Sequence, residues 1–564
     1  MYYLRANQCY TRMENNERQL PFGVNDFEEI RKRGLSYVDK TEYLANLRCY
    51  GPSIVTLCRP PSFGKTLFAT TLKAYYEGKK ELFKGLYIEK VEEEIAEARN
   101  YKPWGAYPVL WFDLGGRTYT SQEDLDEELR KQVSVWEKRY NFVPYTSSTS
   151  PSSHLSQLVA YLHKEIGEQA VLLVDNYDTP IFQTYDNPEL NLDVNKSLCV
   201  FFEVTKCNNA DIEACILFGR SRIRERSAFS GFNNHSDISF HYQHTKICGF
   251  TEQDLIEHFS PELAALAKKE NLSEQKLLAK LEQRYGGFNF NGEDTFYNPG
   301  QIIEVLATQT LIEPWVDRDV IRTVAQRVRT KGWVASEIEN LQCERTYLTN
   351  SVPEYAGVLD RLFQIGVLTV KSEEKKFQIL QLGFSNEEYA YAFLHEFFLA
   401  YCPTLQEKPE TIVERIFKAL AAKELENAMA QLREFMTHID YNGAPKDETY
   451  ASYKNSFFQA GLYFIFRRMN EHVSTKVECH KECVDILVKT SKQYYAFSFL
   501  CTSTAGTPES AIEALKERDY VKTLNKYKTP LRLVGVDFDA QNKNIGAWKE
   551  EEMKKDKEED NKEA

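Results

Sequence analysis

Residues 53–78 read SIVTLCRPPSFGKTLFATTLKAYYEG, and this stretch sets the expected fold. A short apolar run, Ile54 to Cys58, leads into a loop, and a helical pattern follows Gly64-Lys65-Thr66. This order is typical of a buried strand that enters a helix in an α/β domain. A tight loop at a helix start aims several backbone N–H groups at one point, where the helix dipole also favours an anion. The stretch therefore predicts an α/β domain with an anion-binding loop.

The last residues of this loop carry the chemistry of a phosphate site. Lys65 would direct its charge to the β- and γ-phosphates of a nucleotide, and Thr66 would offer a hydroxyl to Mg²⁺. The full signature GxxxxGK[ST] needs Gly at position 59, where this chain has Arg59. Alone, the truncated motif also fits an ordinary helix start.

A second element, AVLLVDNYDTP at 170–180, favours the phosphate site. It places Asp175 at the end of a buried strand, the usual position of the carboxylate that holds Mg²⁺ in phosphate-loop enzymes. The alternative is a strand that ends in a turn, because Asp and Asn are common in turns. Together the two elements predict a nucleotide site.

The remaining patterns predict the domain organisation. Short apolar runs at 109–112, 171–174 and 215–218 predict further buried parallel strands, so residues 20–249 form one α/β domain. Residues 250–405 have a helical period, with a winged helix as one candidate arrangement, and residues 406–440 form a linker or helices. A helix, strands, a helix and a strand follow in a small second α/β unit at 441–545. A flexible leader is expected at 1–19 and a charged, solvated tail at 546–564.

Composition excludes several classes of protein. The chain has 564 residues, 13% of them aromatic, and a formal net charge of −13, which argues against a disordered chain and against non-specific coating of nucleic acid or anionic membranes. The composition does not exclude a local basic groove within one domain. No apolar stretch approaches the roughly eighteen residues of a membrane span, and no signal-peptide core is seen. The 12 scattered cysteines predict reduced thiols in a cytoplasmic or nuclear setting, with the cytoplasm as our prediction.

Seven ordered segments resemble one known family. The chain is similar to the AAA-ATPase-like family of P-loop NTPases, whose members carry a C-terminal PD-(D/E)XK nuclease-like domain. The resemblance covers about residues 20–400 strongly and 440–525 more weakly. The segments that carry it lie at 20–44, 58–90, 107–114, 171–181, 227–234, 248–255 and 296–303.

The resemblance implies a set of site residues. It implies ATP binding by the loop residues Phe63, Gly64, Lys65 and Thr66, with Mg²⁺ held by Thr66 and Asp175.

Three further positions bear on hydrolysis. Where the family has an acidic residue after the strand-end aspartate, this chain has Asn176, whose amide positions water but cannot accept its proton. Asp178 is the fallback base, or else a turn cap. The loop also has Pro61-Ser62 where the family commonly has basic residues, so ATP binding is expected and hydrolysis is left open.

Arginines recur at every second position after the run CILFG, at 220, 222, 224 and 226. On an extended segment they would line one face, and Arg220 or Arg222 could reach a γ-phosphate. The alternative is that they are solvated or paired with carboxylates.

The nuclease-like unit departs from its pattern at essential positions. Asp485 stands where the first metal-binding carboxylate belongs, but Ser498 and Leu500 replace the acid and the lysine of the next strand. Metal-dependent cleavage needs these groups together, so we expect an inactive centre.

These observations lead to three hypotheses. The first is an ATP-binding switch or slow ATPase, with a nucleotide and a protein as partners. The second is a pseudoenzyme scaffold that binds protein or nucleic acid. The third, which rests on fold analogy, is an ATP-gated nuclease. No membrane partner is expected, and the oligomeric state is left open.

Overall fold

The computed structural model describes residues 19–50, 53–145, 150–185, 187–220, 234–312, 318–330, 341–345, 356–440, 461–467, 475–479, 483–500, 506–524, 529–539 and 544–553, with the single positions 338, 348, 469 and 542. The chain divides into two compact units, residues 1–315 with 345–373 and residues 316–344 with 374–564. Both mix helices and strands, which confirms a mixed α/β protein. The predicted leader at 1–19 lies outside the described residues except for its last residue.

The first unit contains most of the elements that position the site. In chain order they are α1 (Phe27–Arg33), α2 (Thr41–Tyr50), β1 (Ile54–Cys58), α3 (Lys65–Tyr76), α4 (Tyr87–Arg99), β2 (Val109–Asp113), α5 (Gln122–Arg139), α6 (Pro151–Ile166), β3 (Ala170–Asp175), α7 (Thr179–Gln183), α8 (Pro188–Phe202), α9 (Val204–Cys207), β4 (Ile212–Gly219), β5 (Ser236–Asp237), α10 (Glu252–Glu270), α11 (Glu274–Tyr285) and α12 (Pro299–Thr308).

The chain then alternates between the units. It forms α13 (Arg318–Thr330) and β6 (Gln342–Glu344) in the second unit, and α14 (Ala356–Gln364) and β7 (Leu368–Glu374) in the segment that belongs mainly to the first. The second unit continues with β8 (Ile379–Phe384), α15 (Glu387–Tyr401), α16 (Pro409–Ala422), α17 (Leu425–Met436), a helix over 461–467, β9 (Thr475–Cys479), β10 (Cys483–Lys489), β11 (Tyr494–Leu500), α18 (Pro508–Glu517), α19 (Asp519–Leu524), β12 (Leu531–Asp539) and β13 (Asn544–Glu552).

The first unit is built on a five-stranded sheet in the order β2-β3-β4-β1-β5, and its paired strands are all parallel. The predicted buried strands are thereby confirmed. Every residue of β1 and β3 is buried, as expected for parallel strands that are covered on both faces. Because parallel strands end at the same edge of a sheet, β1 to β4 deliver the residues that follow Cys58, Asp113, Asp175 and Gly219 to one place.

The second unit has a mixed sheet in the order β13-β12-β11-β10-β9. Strands β9, β10 and β11 pair antiparallel, β12 runs parallel to β11, and β13 pairs antiparallel with β12. Helix α18 packs its buried residues Ile512 and Leu515 against Leu533 of β12. The predicted helix, strands, helix and strand are therefore present in that order.

Two expectations about the organisation need revision, and one open alternative is decided. Residues 406–440, predicted to be a linker or helices, hold two amphipathic helices, α16 and α17, whose apolar sides are buried. The expected helical region at 250–405 also contains strands β6, β7 and β8 and is shared between the two units. Strand β13 runs to Glu552, so the first residues of the expected tail at 546–564 belong to a sheet. The winged-helix arrangement stays a prediction, because parts of the segment between α13 and α14 lie outside the described residues.

Two further findings concern the chain as a whole. None of the helices in the described ranges combines the length and the apolar character that crossing a bilayer requires. The cysteines described as free thiols lie mostly in the interior, for example Cys58 and Cys215.

Candidate functional site

The loop between β1 and α3 owes its shape to two residues with left-handed backbone. Ser62 has φ 62° and Gly64, the N-cap of α3, has φ 91°. A Cβ atom at Gly64 would meet nothing within 4 Å, so glycine is favoured there by its backbone conformation and not by lack of space. Left-handed residues beside right-handed ones turn successive N–H groups toward one side and make an anion-binding concavity.

The carbonyl groups of this loop are all occupied. Five consecutive carbonyl oxygens, at 59–63, accept hydrogen bonds from donors of the first unit. The ammonium of Lys65 donates to Arg59 O at 2.9 Å and to Pro60 O at 2.9 Å, Asn298 Nδ2 to Pro61 O at 3.0 Å, Gly300 N to Ser62 O at 3.1 Å and Gly249 N to Phe63 O at 3.1 Å.

The N–H groups of the same loop are in the opposite situation. Those of four consecutive residues, Phe63 to Thr66, donate to no residue that the structure describes. The first N–H groups of a helix have no intrahelical partner, and here they form a cluster at the positive end of the α3 dipole. Such a cluster suits an anion with several oxygens, and we call these four N–H groups the cradle.

Two segments outside the sheet hold the loop. Asn298 is buried. Its side-chain oxygen caps α12 by accepting hydrogen bonds from the N–H groups of Gly300 and Gln301, and its side-chain Nδ2 donates to Pro61 O in the loop. A Cβ at Gly300 would lie 2.8 Å from the Ser62 Cβ, so the close approach requires glycine. Two segments of the family resemblance, 248–255 and 296–303, thus contact the loop directly.

Lys65 is buried at the start of α3. Burial lowers the pKa of its ammonium, and the nearby carboxylates of Asp178 and Asp175 oppose that shift. Its two carbonyl partners satisfy part of its hydrogen-bonding capacity. An anion bound at the N–H groups of 63–66 would place a negative charge next to this ammonium and offset the cost of burying it.

Thr66 and Asp175, the two predicted Mg²⁺ ligands, are bonded to each other. The Thr66 hydroxyl donates to Asp175 Oδ2 at 2.6 Å, although the two residues are 109 positions apart. Asp175 is 1% exposed. Burial is the main reason why the pKa of its carboxyl lies above the ordinary value of 3.8. A hydroxyl and a carboxylate are hard oxygen ligands of the kind that Mg²⁺ prefers, and a cation would relieve the cost of burying this charge.

Asn176 also has left-handed backbone, with φ 54°. Its N–H donates to Asp175 Oδ1 at 3.0 Å, and its side-chain Nδ2 donates to Asp113 Oδ1 at 2.9 Å. Asp113 is the last residue of β2 and pairs in register with Asp175. Asp113 is not among the site residues predicted from the sequence, although its place at the end of an apolar run is a visible signal.

Asp178 and Arg220 lie together beside these groups. Asp178 is buried, and its Oδ2 accepts the backbone N–H of Arg220 at 2.8 Å. The Arg220 guanidinium lies over the Phe182 ring, 4.2 Å from its centroid, and Arg361 lies on the same ring at 3.8 Å. Arg222 and the later arginines of the series lie outside the described residues.

Arg59 and Phe63 point away from the cradle. Arg59 is buried and donates to the carbonyls of Ser239 at 2.9 Å and Thr245 at 3.2 Å. Its departure from the motif therefore serves to tie the loop to residues 239–245. The Phe63 ring packs edge-on against Phe288 at 4.9 Å, so this residue offers a ligand its N–H and not its side chain.

The centre predicted to be inactive lies in the second unit. Asp485 is 2% exposed and pairs in register with Ser498. The Ser498 hydroxyl donates to Asp485 Oδ1 at 2.7 Å, and Arg518 Nε donates to Oδ2 at 2.7 Å. Leu500 is buried in β11. The carboxylate is thus satisfied by the protein, and within the described part of the chain no three His, Cys, Asp or Glu residues are grouped so that they could hold a metal ion.

Comparison with known proteins gives a family match over part of the first unit. A family described as "Predicted AAA-ATPase" matches residues 21–229, which include the loop and Asp175. This match supports an ATPase-like function and nucleotide binding. A protein of Azotobacter chroococcum mcd 1, named "Uncharacterized protein in vnfD 5'region", is 23% identical over 536 residues, 94% of this chain and 98% of that protein. No solved structure matches the chain.

Proposed function

We propose that the first unit binds ATP with Mg²⁺ at the loop 59–66 and acts as a nucleotide-dependent switch or slow ATPase. The observation that carries this proposal is the set of four N–H groups at 63–66 next to the Thr66–Asp175 contact. The cradle suits phosphate oxygens, and the hydroxyl and carboxylate suit the cation that accompanies them. The residues present therefore fit both groups.

Each residue has a distinct part in this proposal. The N–H groups of Phe63 to Thr66 bind the phosphate chain, and the Lys65 ammonium exchanges its carbonyl partners for phosphate oxygens. Thr66 and Asp175 would hold Mg²⁺, which would neutralise phosphate charge. Arg220, which follows the last residue of the neighbouring strand β4, would respond to the γ-phosphate.

The switch follows from the contacts that hold the loop. A ligand that draws Lys65 away from Arg59 O and Pro60 O changes the loop whose other carbonyls are bound by Gly249, Asn298 and Gly300. These donors belong to the helical part of the same unit. Nucleotide binding would therefore change how the sheet contacts α12 and the residues before α10.

A second candidate is a pseudoenzyme scaffold that binds a protein or a nucleic acid. Asn176 cannot take a proton from water, and Asp485 is neutralised by Arg518. In this alternative neither centre turns over. An ATP-gated nuclease would require Asp485 to exchange Ser498 and Arg518 for a metal, and no observation favours that exchange.

The binding proposal is tested by titrating the full chain with a fluorescent ATP analogue and Mg²⁺. Lys65→Ala removes one charged donor to phosphate, worth about 1.5–3 kcal/mol, so we expect the affinity to fall about ten- to a hundredfold. Lys73→Ala, in the same helix and partly exposed, is the matched control and should keep wild-type affinity. Equal affinity in wild type and Lys65→Ala, or no binding by wild type, would refute the site.

A further inference from the structure

The carboxylate that the sequence lacks at position 176 is present nearby on a different strand. Asp113 ends β2, and its register partner on β3 is Asp175. Side chains of register partners in a parallel sheet project on the same side, with the strands about 4.8 Å apart. Asp113 therefore stands beside the proposed Mg²⁺ carboxylate, at the edge of the sheet where the loop lies.

The local structure holds this carboxylate by one oxygen. Asp113 Oδ1 accepts the N–H of Gly115 at 2.8 Å and the side-chain Nδ2 of Asn176 at 2.9 Å. Its Oδ2 accepts no hydrogen bond from the described residues, and the residue is exposed. One oxygen is thus fixed in position, while the other is accessible to water.

The other carboxylates of the site are less suited to accept a proton. Asp175 is buried, and its two oxygens already accept hydrogen bonds from the Thr66 hydroxyl and the Asn176 N–H. Asp178, the fallback base of the sequence analysis, is also buried and is bonded to the Arg220 N–H. Neither combines an accessible oxygen with an anchored one.

We propose that Asp113, held by Asn176, is the general base for ATP hydrolysis in this chain. This inference rests on the proposed function and adds a catalytic residue to it. Asp113 accepts a proton from the attacking water while the water oxygen bonds to the γ-phosphorus. The bond from that phosphorus to the β–γ bridging oxygen breaks, and ADP leaves with its electron pair, which gives ADP and inorganic phosphate. Asn176 is a positioning residue, because its amide orients Asp113 and cannot itself take the proton.

The experiment compares four forms of the full chain: wild type, Asp113→Asn, Asn176→Asp and the double variant Asp113→Asn/Asn176→Asp. Two quantities are measured, the affinity for the fluorescent ATP analogue with Mg²⁺ and the release of phosphate from ATP in a single turnover. The exposed Glu127→Gln on α5 is the matched control for changing a carboxylate to an amide and should behave as wild type in both.

We expect Asp113→Asn to bind the analogue within about twofold of wild type and to release phosphate at least about a hundredfold more slowly, the usual contribution of a general base. The double variant moves the carboxylate back to position 176 and should recover much of the rate. A merely structural role for Asp113 would lower affinity and would not be rescued in this way. Should Asp113→Asn fail to fold, Asn176→Ala replaces it, and we expect about tenfold slower release with affinity retained.

The outcomes separate this inference from the function on which it depends. Equal phosphate release by wild type and Asp113→Asn would overturn the role of Asp113. ATP binding without any phosphate release by wild type would overturn it as well, while the binding proposal would stand. No binding by wild type would overturn both.

Discussion

The two five-stranded sheets each contain a buried aspartate that accepts a hydrogen bond from a hydroxyl. In the first unit Thr66 donates to Asp175 at 2.6 Å, and in the second Ser498 donates to Asp485 at 2.7 Å. They differ in the group that meets the other carboxylate oxygen. For Asp175 it is a neutral backbone N–H, whereas for Asp485 it is the Arg518 guanidinium.

This difference shows how the same residue type serves two purposes. Asp485 has its cation inside the protein, so binding a metal there would first require breaking an ion pair. Among the residues that the structure describes, no cation is bonded to Asp175, whose pKa is raised by burial, and the Lys65 ammonium is bonded to loop carbonyls. The first carboxylate is therefore suited to an external cation and the second to holding a sheet and a helix together.

The largest effect is expected when the internal cation of the second unit is removed. Arg518→Ala leaves the buried Asp485 carboxylate without its cationic partner, which should lower the free energy of unfolding by about 2–3 kcal/mol, less than for a fully buried pair because Arg518 is partly exposed. Arg532→Ala, which breaks the exposed pair with Glu550, should cost about 0–1 kcal/mol. Urea unfolding followed by circular dichroism measures both.

A double variant that also removes the Asp485 charge distinguishes loss of the ion pair from simple loss of packing by the Arg518 side chain. If the buried charge causes the loss, Asp485→Asn added to Arg518→Ala should restore part of the stability. Equal losses for Arg518→Ala and Arg532→Ala would mean that Asp485 does not depend on its partner.

The next effect concerns Asn298, which holds the loop 59–66 of the first unit. Asn298→Ala removes a buried helix cap and the donor to Pro61 O, so we expect about 2 kcal/mol lower stability together with weaker ATP binding. Asn187→Ala is a closely matched control, because Asn187 also caps a helix and precedes proline but lies at an exposed position. It should cost about 1 kcal/mol and leave the affinity unchanged.

Thermal unfolding and the analogue titration provide the two measurements. Equal ATP affinity in Asn298→Ala and Asn187→Ala would show that Asn298 does not shape the cradle.

The smallest effect is a pH dependence that only the first aspartate should produce. Mg²⁺ needs the Asp175 carboxylate in its ionised form, so affinity for ATP with Mg²⁺ is full above the raised pKa of Asp175 and falls as the pH drops through it. Lys65 opposes that rise in pKa and Asp113 adds to it. Each pH unit below this pKa should weaken the metal-dependent part of binding by up to about tenfold.

The matched pair of variants is Asp175→Asn and Asp485→Asn, titrated with the analogue over the same pH range. Asp175→Asn should lose the metal-dependent part of the affinity together with the pH dependence that Asp175 causes. The pH dependence that remains should be that of the nucleotide's own titration. The second should titrate as wild type does. The same pH profile in wild type and Asp175→Asn would argue against a metal ligand at Asp175.

Sequence patterns predicted strands β1 to β4 and predicted that Thr66 and Asp175 would share one ligand, Mg²⁺. Buried parallel strands are continuous apolar runs, and their carboxyl ends share one edge, so local pattern was enough to place Lys65, Thr66 and Asp175 near one another. The same logic could have included Asp113. The apolar pattern ends the predicted strand at Phe112, one residue before the observed end of β2, and Asp113 therefore falls outside it.

The sequence alone established the kinds of element and the chemistry available at their ends, because periodicity and turn residues act over a few positions. It could not establish that Asn298 would bind a carbonyl 237 positions away, that Asn176 would orient Asp113, or that Arg518 would neutralise Asp485. Those contacts arise when strand register and helix packing bring distant segments together. In this protein they decide what each buried aspartate is bonded to.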